Sequence, residues 1–149
     1  MKNLGERSCV EEIRGRLLTL RDDDTGRWGV LNVVEMICHV REAYRVAGTV
    51  PNVTLIPAPA PPKVMKFLAL RVPMKWPKTI QTVPDLKREA MPAPGEFEAE
   101  KARLVEEFDA FVEAAAGRFS HPIFGTMTAW DWQRWGYLHA DHHLRQFGR

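Results

Sequence analysis

The run Trp135-Gly-Tyr-Leu-His139-Ala-Asp-His142-His143-Leu-Arg-Gln-Phe147, inside the terminal stretch His121 to Gly148, decides how this chain is read. On a helix, residues four apart sit one turn above each other, with Cβ atoms roughly 6 Å apart. His139 and His143 therefore project toward one point, as two imidazoles must to grip one metal ion. Two ligands from one helix make a poor site. The only histidine outside the terminal segment is His39, which lies in another amphipathic stretch. The spacing predicts a helical bundle that brings His39 to His139 and His143 as a three-histidine metal site.

Neighbouring residues compete for a place in that site. His142 is three residues from His139 but points about 100° away from His143 around the axis. His121 precedes a proline in a loop, where a structural hydrogen bond is expected. Glu35 sits one turn before His39 and is a candidate fourth ligand or a partner behind a ligand. Gln146, one turn after His143, is a further candidate to touch the site. Cys38 diverges from His39 by about 100° and is not expected to ligate. Three neutral imidazoles suit Zn, Ni, Cu or Fe(II) and leave the ion's 2+ charge uncompensated. The remaining coordination positions are then open to water or substrate, the pattern of a catalytic rather than a closed structural site. Such an ion can polarise a substrate, lower the pKa of a bound water, or hold a thiolate. The competing reading of His39 is a core histidine satisfied by a hydrogen bond, since an unsatisfied buried polar group costs about 1–3 kcal/mol.

Outward from this stretch, the chain reads as helices broken by one long connection. Ser8-Cys-Val-Glu11 has the form of a capping box, and Val10, Ile13, Leu17 and Leu20 follow at helical spacing. The acidic turn Asp22 to Gly26 stops that helix. Asn32 and Glu35 offer a second cap and box, opening a helix from about Val33 to Ala47 with Gly48 as its stop. His39 falls inside its apolar stripe, beside Met36, Val40 and Ala43. From Thr49 to Gly95 the chain holds all but one of its eleven prolines, the signature of a long crossover with one short helix near Val64 to Arg71. Between Lys63 and Arg88 the cations Lys63, Lys66, Arg71, Lys75, Lys78, Lys87 and Arg88 face only Asp85 among acids. An anion site would use them, but the favoured expectation is packing against the acidic helix that follows. That helix runs from about Glu96 to Ala116, ends at Gly117, and reads as purely structural. Thr128-Ala-Trp-Asp131 then forms a third capping box at the start of the last helix. The crowded Trp130, Trp132 and Trp135 read as core or subunit interface.

Length and composition bound the rest. A chain of 149 residues suits one domain, here 1–149, with a core that needs no disulfide support. A net charge of +2 is too small to argue for nucleic acid. Cys9 and Cys38 match neither a disulfide framework nor a CxxC motif and are expected as reduced thiols in a cytoplasmic protein. No apolar run approaches the roughly 20 residues of a membrane span, and the first residues lack the apolar core of a signal peptide.

The motif His121-Pro-Ile-Phe-Gly125-Thr-Met-Thr, with Trp132, Tyr137, His139 and His142-His143-Leu-Arg-Gln-Phe-Gly148, resembles a largely uncharacterised branch of the DinB-like superfamily. Arg27-Trp28-Gly29, Glu35-Met36-Ile37-Cys38-His39 and the crossover pieces Lys75-Trp76-Pro77-Lys78 and Thr82-Val83-Pro84 carry the same resemblance. It implies an all-α four-helix bundle, with the long Pro-rich crossover between its second and third helices. It also implies one divalent metal ion, Zn or Ni, on His39, His139 and His143. Where relatives carry a Thr cap and a Gln, this chain has Asn32 and Glu35. Characterised relatives include thiol S-transferases and isomerases that use low-molecular-weight thiols, so a small-molecule thiol substrate is implied, and a homodimer is common. Fold-level analogy does not choose the reaction. A metal-dependent transferase or hydrolase and a non-catalytic binding or stress-response bundle remain the two leading expectations.

Overall fold

The computed structural model describes residues 1–47, 55–78, 93–114 and 120–149. Gly48, the Thr82–Pro84 piece, Asp85, Lys87, Arg88, Ala116 and Gly117 lie outside the described residues. Within them the chain is mostly helical: α1 (Arg7–Leu18), α2 (Val33–Val46), α3 (Pro62–Arg71), α4 (Phe97–Ala114) and α5 (Ala129–Gln146). One antiparallel ladder, β1 (Ser120–His121) with β2 (Gly125–Thr126), departs from a purely helical expectation. Gly125 supplies the positive φ of +66° that closes this tight reversal.

Helix α1 begins two residues earlier than the Ser8–Glu11 pattern predicts. The cap position is Glu6, without a side-chain cap bond, and its carbonyl accepts from the N–H groups of Cys9 and Val10. Ser8 is therefore inside the first turn rather than at its cap. The preceding turn is fixed by Asn3, whose Oδ1 accepts from the Gly5 N–H at 2.7 Å while its Nδ2 donates to the Trp130 carbonyl. The helix also stops before Leu20, although Leu20 stays in the core. Helix α2 opens as its sequence indicates. Asn32 accepts from the Glu35 N–H, and Glu35 Oε2 accepts from the Asn32 N–H, both at 2.9 Å.

Each of α1 and α2 packs against both α4 and α5, and α3 lies against α5 and β2. The core between them includes Ile13, Leu17, Ile37, Leu104, Phe108 and Leu144, all essentially fully buried. Burying a side chain of this size stabilises by about 1.5–3 kcal/mol. Tyr44 of α2 is a polar tie through that core: its hydroxyl donates to the Gly136 carbonyl of α5 at 2.8 Å. Across α2 and α4, Arg41 is paired with the buried Glu100. The connection into α3 is tethered at the ladder, where the Ile56 N–H donates to the Pro122 carbonyl at 3.0 Å.

Two cations of α3 face a different partner from the one expected. Lys66 and Arg71 both reach the buried Asp131 at the start of α5, at 3.3 Å each, rather than the acidic face of α4. Asp131 already caps α5, so its carboxylate is fixed where both cations can reach it. Arg71 also lies over the Trp130 ring at 3.9 Å. Trp132 and Trp135 are core, as the sequence suggests. Among the described residues no helix is long and apolar enough to cross a membrane.

Candidate metal centre

Two capped helices position the site. The Asn32–Glu35 box fixes the start of α2, so that His39 lies two turns further on and faces the core. At the start of α5, Thr128 accepts from the Asp131 N–H at 3.2 Å and Asp131 Oδ2 accepts from the Thr128 N–H at 3.0 Å. His139 and His143 follow three and four turns along. Because α2 packs on α5, the three imidazoles meet. Ring centroids stand 5.4 Å apart for His39–His139, 4.7 Å for His39–His143 and 4.8 Å for His139–His143. One ring nitrogen from each lies within 4.8 Å of the others. Two nitrogens bound to one zinc at 2.0–2.1 Å stand roughly 3.3 Å apart at the tetrahedral angle, so the observed set is slightly wide of that spacing.

The protonation state suits metal binding. Burial, reinforced by the neighbouring imidazoles, holds His139 and His143 well below the ordinary histidine range near 6.5. Both are therefore neutral at pH 7, with lone pairs to give. His139 stacks flat on Trp135 at 4.9 Å and 10°, and its Nδ1 is buried with no hydrogen-bond partner. Such an orphaned atom costs about 1–3 kcal/mol, and a metal ion in the cluster is one way to relieve it. The residues present thus fit a divalent ion.

The other candidates sort themselves by geometry. Glu35 is not in the group of three; its Oε2 serves the α2 cap. His142 sits beside the cluster, its ring 5.1 Å from His143, with Trp28 at 6.0 Å and Trp76 at 6.2 Å. Burial, with Arg145 close by, lowers its pKa, and its Nδ1 is a second orphan. His121 lies among Phe124, Trp132 and Trp135, with Nδ1 accepting from the Ile123 N–H at 3.1 Å, the structural bond expected of it. Cys38 is a buried free thiol outside the group, pushed up to about 11 by burial and by the nearby Glu100 carboxylate. Gln146 does touch the site: its Oε1 stands 3.0 Å from His143 Nδ1. Sequence spacing did not single out the Trp28 and Trp76 rings as walls of this centre. Their only signal was membership of the Arg27-Trp28-Gly29 and Lys75-Trp76-Pro77-Lys78 motifs.

Fold and cluster together define a mostly helical protein with three converging histidines that could hold one metal ion. The chain belongs to a family described as Protein of unknown function (DUF1569), which matches residues 54–149, or 96 of its 149 residues. His139 and His143 fall within that match, and His39 precedes it. No curated protein and no solved structure matches the chain.

Proposed function

We propose that this protein is a metal-dependent enzyme in which His39, His139 and His143 hold one divalent ion, Zn or Ni, within a four-helix bundle formed by α1, α2, α4 and α5. The observation that carries the reading is the convergence of three imidazoles from two helices, two of them held neutral by burial, in a group without a carboxylate. Three protein nitrogens leave coordination positions for a substrate. A bound divalent ion supplies Lewis acidity and stabilises a thiolate. The protein's residues supply the rest. Trp135 and Tyr44 fix the His139 ring from two sides, Gln146 contacts His143, and Trp76 covers His139 and His142. The favoured reactions are transfer of a low-molecular-weight thiol to an electrophile, or hydrolysis.

The test is to load the protein with Zn or Ni and follow a bimane electrophile with glutathione, mycothiol or bacillithiol, alongside an ester and amide panel. Turnover that is lost in His139→Ala and after chelation supports the proposal. A second reading, a structural metal site in a non-catalytic bundle, is favoured by the burial of His39 and His139, which are only 4% and 8% exposed. Metal-dependent thermal stability with no turnover in the same assays would select it.

A further inference from the structure

The loop between α1 and α2 is clamped to the end of α5. Asp24 pairs with Arg149, and the Arg27 N–H donates to the Gln146 carbonyl at 2.7 Å. The edge of Trp28 meets His142. At the centre of this clamp lies the side chain of Gln146, buried to 4% exposure. Its Nε2 donates to the Trp28 carbonyl at 2.7 Å, and its Oε1 stands 3.0 Å from His143 Nδ1.

These contacts admit one arrangement of hydrogens. A backbone carbonyl can only accept, so the amide nitrogen of Gln146 must face Trp28. The amide oxygen then faces His143, and it too can only accept. The proton between them therefore belongs to His143 Nδ1, and the lone pair of a neutral His143 is on Nε2. Gly29 is shaped for this contact. Its φ is +81°, and a Cβ there would stand 2.5 Å from Gln146 Nε2.

We infer that Gln146 is a positioning residue. Anchored on the Trp28 carbonyl across the space left by Gly29, it holds the His143 ring in place and fixes the tautomer that presents Nε2 to a metal ion. This inference rests on the metal reading above and goes beyond it by assigning a role to the Trp28–Gly29 turn, 118 positions away in sequence. Partners that donate or accept behind a ligating histidine set its tautomer, and losing one typically weakens metal affinity about 10–100-fold.

The test compares wild type with Gln146→Met, which keeps the length and removes the amide, and with Arg145→Ala, which breaks the neighbouring Arg145–Asp141 pair on the same helix end. Zn affinity is read by competition against a chromogenic chelator. The ring proton of His143 is located in the metal-free protein by long-range proton–nitrogen correlation. The expected result is a proton on Nδ1 in wild type, a mixed or reversed tautomer in Gln146→Met, and Zn affinity reduced about 10–100-fold there with little change in Arg145→Ala. Gly29→Ala, which displaces Gln146 without altering it, should weaken Zn binding in the same direction. A wild-type proton on Nε2, or equal losses in Gln146→Met and Arg145→Ala, would overturn the inference while leaving the three-histidine site standing. Wild type that takes up no Zn would remove both together.

Discussion

Replacing Gly136 by alanine sets helix propensity against packing at the point where α5 meets its neighbours. In an open helix interior the change gains about 1 kcal/mol. Here an added Cβ would fall inside the van der Waals envelope of Phe111 Cε1 and stand 3.0 Å from Leu4 Cδ1. Phe111 has little room to yield, because it is buried between Tyr44 at 4.8 Å and Trp135 at 6.0 Å. Overpacking of this kind costs about 1–3 kcal/mol, and contact with a ring edge puts the cost at the upper end. The net expectation is a loss of about 2 kcal/mol, or a Tm lower by about 4–8 °C for a chain of this length. Urea titration followed by circular dichroism measures it. The clash also predicts coupling: in a Phe111→Leu background the same change should cost about 1 kcal/mol less. A Gly136→Ala protein as stable as wild type, or more stable, would refute the account of how α4 and α5 fit together.

Three further outcomes follow from individual contacts. Burial lowers His121 to about 3, whereas in the unfolded chain it titrates near 6.5, so below pH 6.5 the unfolded state binds the extra proton and the fold loses stability as pH falls toward 3. His121→Asn keeps an acceptor for the Ile123 N–H and cannot protonate. Its stability should therefore fall less steeply with acid, by up to about 1.4 kcal/mol per pH unit, and identical slopes in urea titrations would contradict this. Thr128→Ala removes the α5 cap and should cost about 1 kcal/mol in a thermal melt, with an unchanged Tm counting against that cap. Cys38, buried and with its pKa pushed up to about 11, should resist a disulfide reagent at pH 8 until urea is added; prompt labelling of the folded protein would show the thiol to be accessible.

What the sequence makes legible is mostly local. The His139–His143 pair could be read because a helix fixes where residues four apart point, and the Asn32 and Thr128 caps because their partners lie three residues away. His39 was legible by its position in an apolar stripe. Ser8 misled because a short box pattern does not say which residue the chain has already turned at, and the Asn3 turn starts α1 at Arg7. Charge balance points Lys66 and Arg71 to the acidic α4, while the fold places the buried Asp131 within their reach. The contact of Gln146 with the Trp28 carbonyl has no local signature: a backbone acceptor from a loop far away in sequence leaves no trace in spacing.

The central claim is that His39, His139 and His143 share one cation, and element analysis of protein purified without a histidine tag tests it most directly. After Zn or Ni is added and the excess removed, the account predicts close to one equivalent bound per chain, falling to near zero in both His39→Ala and His139→Ala. Metal content equal in wild type and these variants, or no metal retained by folded wild type, would contradict it.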